Sequence, residues 1–388
     1  MNREWRTSLI GMTTLALALG IGRFVLTPLL PLMQADNHLS LVAGGWLASV
    51  NMIGYLLGAL LCALWALPPR ASLRVGAVVV TLATLGMGVG ALDAWLAWRF
   101  LAGVASAALV VHGIAWSMAR LRAAGRPVLE HVMFSGTGVG IVGSGLLVAG
   151  LRPLGATSAN LWVGFGLMTA VFFIGMWRHL GEHGDAAPAS ATPSCAMPPS
   201  GPAWTLVLMY GLLGFAYMIP AAFLPLIAER QLHLPALREW FWPLYGMAMT
   251  VATLALRWLP TRVDNRSVLA ACSVSMITGM VLCIVGHNVV VLVLATLLVG
   301  SATMPVVMYT MREARLLAPR NPVRLIAALT TTFGVGQAAG PVTAAWLAER
   351  TGDFTVPLLA GIGTAALAMG CMLVRRPRRH ASLARLSP

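Results

Sequence analysis

The sequence predicts an all-α polytopic membrane protein, with twelve transmembrane helices in two pseudo-symmetric six-helix bundles. Three observations predict it. Of 388 residues, 58% are hydrophobic and 10% charged, and the mean hydropathy is +0.81, more apolar than a soluble fold of this size requires. The apolar residues fall into runs long enough to cross a bilayer. The second half of the chain also repeats features of the first at an offset of about 195 residues.

The runs lie at 8–33, 41–66, 74–92, 94–119, 132–150 and 159–177, then at 204–228, 240–259, 268–287, 288–311, 324–348 and 356–374. Each is about 19 residues or longer, matching a ~30 Å hydrocarbon core. Only Asp93 marks the third-to-fourth turn, and only His287-Asn288 the ninth-to-tenth. An even count puts both termini on one side. The gaps on that side and the termini hold 20 arginines, against four (Arg152, Arg230, Arg238 and Arg350) on the other, so the termini are expected in the cytoplasm.

The net charge of +14 could suggest a nucleic-acid partner, but there is no lysine and the arginines sit in short gaps between apolar runs, which is topology. Arg3 and Arg6 before an apolar stretch imitate a signal peptide, yet the run continues far past the cleavage-like Ala16-Leu17-Ala18. Cys62, Cys195, Cys272, Cys283 and Cys371 lack metal-ligand spacing, so neither a disulfide nor a metal or other cofactor is expected. Asn265-Arg266-Ser267 is a formal glycosylation sequon on the expected cytoplasmic side, and is read as chance.

Between the sixth and seventh runs the composition turns to Ala, Pro and Ser. The organisation is therefore an N-terminal bundle at 1–178, a cytoplasmic linker at 179–203, a C-terminal bundle at 204–375 and a basic tail at 376–388. The repeat is visible after the fourth and tenth runs, where Arg120–Val128 and Arg315–Val323 match as R-L-x-A-x-x-x-P-V. It recurs where Gly138-Val139-Gly140 answers Gly334-Val335-Gly336. Six helices per half keep the copies parallel, the arrangement of a transporter that rocks two halves about a central site.

The first run carries one charge. Gly20-Ile21-Gly22-Arg23-Phe24 places an arginine near the middle of about 39 Å of helix, and Pro28 and Pro31 follow. Such an arginine costs at least about 2.5 kcal/mol on insertion scales, so it faces a polar interior or a cavity. The prolines free carbonyls that must be satisfied inside the protein. Arg23 either ties helices together through carbonyls or meets a substrate.

These residues also carry a family resemblance. Arg99-Phe100-Leu101-Ala102-Gly103 is similar to the R-F-L-x-G motif in helix 4 of the major facilitator superfamily. Gly136–Gly145 is similar to that superfamily's glycine-rich helix-5 motif without its Gly-Pro pair. Leu67–Arg74 stands where the G-x-L-x-D-R-x-G-R loop belongs but lacks its Asp. Gly20–Met33, Gly45–Ala59, Phe333–Pro341 and Thr351–Phe354 resemble the YbfB/YjiJ-type branch over nearly the whole chain. The resemblance implies the major facilitator fold and a transporter rather than an enzyme, without a substrate.

Candidate site residues come from polar groups at mid-membrane depth. Asn51 and Tyr55 lie on a helix-2 stripe with Gly44, Ala48 and Gly58, which is otherwise a packing seam. Tyr217 is central in the seventh run and shares a face with Tyr210 and Gly214, and Gln337 is central in the eleventh. Arg99 and His112 in the fourth run are candidates for coupling; imidazole is the side chain suited to carrying protons near neutral pH. Helix bracing and a buried, carbonyl-bonded imidazole are their alternatives.

All twelve acids lie in loops or at helix ends. A deep cation without a protein counter-ion suggests that the counter-anion arrives as substrate. The expected function is therefore alternating-access secondary transport of a small organic anion across a bacterial-type inner membrane, with protons as the candidate coupling ion. The rivals are export of amphipathic neutral compounds and a non-transporting receptor on the same scaffold.

Overall fold

The computed structural model describes residues 2–37, 39–64, 68–126, 128–180, 201–232, 238–259, 263–318 and 322–373. Regular structure among them is helical. The first rod is α1 (Arg3–Leu15), a π-helical stretch (Ala16–Ile21) and α2 (Leu26–Asn37). Then come α3 (Leu41–Leu64), α4 (Pro69–Gly86), α5 (Leu92–Ala123), a rod made of α6 (Leu129–Phe134) and α7 (Gly136–Leu151), and α8 (Ser158–Met176). The second half contains α9 (Gly201–Leu232), α10 (Arg238–Ala255), α11 (Asn265–Val285), α12 (Val289–Leu317), α13 (Pro322–Thr351) and α14 (Thr355–Leu373).

Ten helical stretches among the described residues are long and apolar enough to cross a membrane. The sequence reading expected twelve. The two that fall short are α4, whose first turns hold Arg70 and Arg74, and α10, which opens on Arg238 and Glu239 and contains Pro243.

Both uncertain turns have local explanations. Residues 87–91 make the first, with Gly90 in the left-handed region at φ +92°. Asp93 therefore stands inside the first turn of α5, where a carboxylate complements the helix dipole. Asn288 caps α12, its side chain accepting from the Val291 N–H at 2.9 Å.

The packing repeats with the sequence. Contacts of α5 with α3 and α4 are matched by those of α12 with α10 and α11, and α4 on α8 by α11 on α14. The glycine repeat has a matching geometry: a Cβ on Gly140 would lie 2.4 Å from the Ala16 carbonyl oxygen, and one on Gly336 would lie 2.2 Å from that of Gly211. In each case a glycine lets the fifth or eleventh rod touch the backbone of the first or seventh.

Between the halves, α3 packs along α13 and α7 along α10, with Pro243 against Gly145. The Asn265 sequon is closed to modification, because its side chain is buried and donates to Glu313 at 3.1 Å. Cys62, Cys272, Cys283 and Cys371 are free thiols. Cys195, linker residues 181–200, repeat residues 319–321 and the tail at 376–388 lie outside the described residues.

Candidate functional site

The site grows from the break in the first rod. Wide-turn bonds run from Gly22 N–H to Leu17 O (2.8 Å) and from Phe24 N–H to Leu19 O (2.9 Å). Pro28 has no N–H to give Phe24, so the Thr27 N–H bonds that carbonyl instead, at 3.1 Å. The carbonyls of Gly22 and Arg23 are then available to partners outside the helix.

Arg99 supplies most of those partners. Its Nη2 donates to Arg23 O (2.7 Å), its Nη1 to Gly22 O (3.1 Å) and its Nε to Leu47 O (3.3 Å). Asn51 Nδ2 donates to Gly22 O (3.2 Å) and to Arg99 O (2.8 Å). Both side chains are buried, so the broken backbone is clasped between α3 and α5. Glycine makes the clasp possible: a Cβ on Gly103 would stand 2.1 Å from Asn51 O, and one on Gly54 would stand 2.2 Å from Phe100 O.

Arg23 itself is in a different condition. Its side chain is 7% exposed and its guanidinium lies over the rings of Phe24 (5.0 Å) and Tyr55 (4.9 Å), yet Nε and Nη2 have no hydrogen-bond partner. Among the described residues no carboxylate pairs with it. Phe24 leans on Trp242 with ring centroids 6.3 Å apart, and the buried indole Nε1 of Trp242 is a third unpartnered donor; Asn51 Oδ1 is an unpartnered acceptor.

From the second half, Tyr210, Phe333 and Tyr217 form a stack with centroids 4.0 and 5.6 Å apart, and Gln337 Nε2 donates to the Tyr217 hydroxyl. A small cavity, with room for about one water molecule, lies against Arg23 between Thr27, Ala48, Met52, Met218 and Phe223.

Of the residues singled out from sequence, Arg23 and Arg99 line the cavity, Asn51 and Tyr55 touch the backbone and guanidinium at the break, and Tyr217 with Gln337 belongs to the aromatic stack of the second half. His112 lies apart: its Nδ1 lies 3.0 Å from Ala108 O, and the next residue, Gly113, faces Thr14, more than two turns before Arg23. Phe24, Trp242, Tyr245 and Phe333 were missed. The aromatic run Trp240-Phe241-Trp242 just before Pro243 was the available signal for the second of these.

The two ends of the molecule differ. At the α2 end the halves are joined: Thr27 donates to Ala221 O (3.0 Å), the Val42 N–H to Glu349 (2.8 Å), and Arg152 to Glu239. At the opposite end α1 packs on α5, α6 and α7, and neither α1 nor α5 has comparable packing with the second half among the described residues. There α6 touches α10 across the halves.

Solved structures share this architecture. A single-substitution variant of the nucleoside transporter NupG aligns with a TM-score of 0.74 at 14% identity, over 94% of this chain and 98% of its own. The human organic anion transporter MFSD10 (TETRAN) aligns at 0.68 and 17% identity, over 96% and 100%. A bacterial homolog of the human lysosomal transporter Spinster, inward-facing and unoccupied, aligns at 0.69 and 12% identity, over 96% and 97%. At such identities these likenesses concern the fold. Comparison with curated proteins gives no match. The family model described as "Uncharacterised MFS-type transporter YbfB" matches residues 15–375. The chain belongs to that family of membrane transporters of the major facilitator type and is not an enzyme.

Proposed function

We propose that the protein is a secondary active transporter that moves a small organic anion across the inner membrane by alternating access. Twelve helices would span the bilayer as two parallel six-helix bundles, residues 1–178 and 204–375, with both termini, the linker and the basic tail cytoplasmic. In this orientation the contacts of Thr27 with Ala221, Val42 with Glu349 and Arg152 with Glu239 would join the halves on the outer side. Similar structures include a nucleoside and an organic anion transporter, so likeness does not choose the substrate.

One observation carries the reading: the Arg23 guanidinium is buried with two N–H groups unpartnered and, among the described residues, no carboxylate beside it. A buried cation left so is costly, and an anion would satisfy its charge and its donors together. Arg23 would bind the anionic group, while Asn51, Tyr55, Tyr217 and Gln337 shape the site. Coupling is assigned to Arg99, which passes movement at Arg23 to α3 and α5, and to His112 as the proton carrier.

In proteoliposomes, Arg23→Gln is expected to keep the fold and lose about 100-fold in anion affinity, the worth of a charge-assisted pair of hydrogen bonds. Unchanged anion uptake would sink the proposal and favour export of neutral amphipaths, which the aromatic lining also suits.

The outer latch can be tested separately. Glu239→Gln weakens its contact with Arg152, a pair whose side chains are 9% and 29% exposed. Population of the outward-open state should rise about 3- to 10-fold, allowing for solvent screening. Ala48→Cys, buried beside the central cavity in a background without other reactive thiols, should label correspondingly faster from outside. An unaltered rate would exclude a latch role.

A further inference from the structure

We infer that the cavity lined by Arg23 and Arg99 is a halide site, which in this conformation takes one chloride-sized anion. The inference rests on the anion reading of Arg23 and adds a second, smaller occupant to it. Both arginines line the cavity, and they are 7% and 1% exposed. Arg99 gives Nε, Nη1 and Nη2 to backbone carbonyls, which are dipoles and cancel no net charge. Arg23 keeps Nε and Nη2 unpartnered, and among the described residues neither arginine is paired with a carboxylate. Two buried cations so placed call for an anion within reach of both.

Size chooses the anion. The cavity admits about one water molecule, and a chloride ion is of comparable bulk. A carboxylate with its carbon skeleton is larger, so an organic anion reaches Arg23 in a more open conformation. The walls are largely apolar, formed by residues such as Leu26, Leu30, Met52, Met218 and Phe223. Among the lining residues Thr27 brings the one hydroxyl, and its hydrogen goes to Ala221 O at 3.0 Å. The lining side chains therefore offer guanidinium N–H donors and little else. Such a lining suits a weakly hydrated anion; it disfavours fluoride, whose water shell is costly to strip, and sulfate, which is too large. A water molecule could meet the same donors but would leave both charges in place. The halide thereby supplies, in the closed centre, the counter-charge that the organic anion supplies when bound.

The test uses the purified full chain in detergent, in a chloride-free sulfate buffer of fixed ionic strength, titrated with millimolar chloride, bromide, fluoride, acetate or lactate while thermal stabilisation is followed. Chloride and bromide should stabilise saturably, with affinity at least about tenfold above that for fluoride or added sulfate. Arg23→Gln should lose about tenfold or more in chloride affinity. Should that variant not fold, the native protein crystallised with bromide gives a direct reading: the anomalous signal is expected between Arg23 and Arg99, within hydrogen-bond reach of Arg23 Nε or Nη2.

Equal stabilisation by chloride, fluoride and sulfate, or bromide found away from the two arginines, would overturn the halide site. So would acetate or lactate stabilising the native protein but not Arg23→Gln while chloride has no effect, an outcome that leaves the organic-anion site standing. If chloride and both carboxylates fail to stabilise the native protein, or stabilise Arg23→Gln equally, both readings fall.

Discussion

Arg99→Leu is expected to lower the melting temperature by at least about 5 °C, the counterpart of a loss on the order of 3 kcal/mol. Three charge-assisted bonds leave with the guanidinium, and Arg23 O loses its partner at 2.7 Å. Gly22 O keeps Asn51 Nδ2, so the clasp is weakened rather than abolished. Removing a desolvated charge returns some of the loss, which holds the figure below the sum of three such bonds. Arg99→Lys should fall between native and leucine, because an ammonium cannot reach three carbonyls with the same fork. A melting temperature within a degree of native for Arg99→Leu would show that the break in the first rod supports itself.

Gly103→Ala should be more damaging than its one added methyl suggests. The new Cβ would be 2.1 Å from Asn51 O and 2.8 Å from Tyr55 N, and these are backbone atoms that no rotamer change can move. The α3–α5 crossing must open by about 1 Å or more, carrying Asn51, Tyr55 and the Leu47 carbonyl away from the clasp. A loss of about 2–4 kcal/mol follows, together with impaired ligand binding. Gly143, exposed and with nothing within 4 Å of where a methyl would stand, supplies the control. Its alanine variant should be as stable as native or up to about 1 kcal/mol more so, since alanine favours helix. Equal melting temperatures for the two variants would exclude the crossing as a constraint.

Much of this architecture is legible in the chain because membranes simplify the code. Apolar runs must be helices, and an arginine such as Arg23 inside one must be spoken for. The glycine repeat at Gly140 and Gly336 could be read because close backbone approach admits one residue type. What could not be read was which arginine would be used up. Arg23 and Arg99 look alike in sequence, and their difference arises from where the carbonyls of Gly22, Arg23 and Leu47 fall in space. The aromatic stack was hidden for the same reason: Tyr210 and Tyr217 share a face of α9, but Phe333 lies more than a hundred residues away, and only α13 packed on α9 inserts its ring between them. The helices at α4 and α10 are more polar than the apolar runs read there, because the extent of a helix, Arg70 or Arg238 included, is set by tertiary packing as well as by its apolar stretch.

The broken first rod has a continuous counterpart. Its partner by repetition, α9, runs from Gly201 to Leu232 without interruption although it contains Pro220 and Pro225. The repeat thus preserves the scaffold and abandons its symmetry at the centre, where the first half sets a charge between two rings and the second offers a stack of rings. A perfectly duplicated centre would hold a molecule equally well end for end and could not distinguish its two faces. An unequal centre fixes which end lies against which half, and a chiral cargo would fit it as a glove fits one hand.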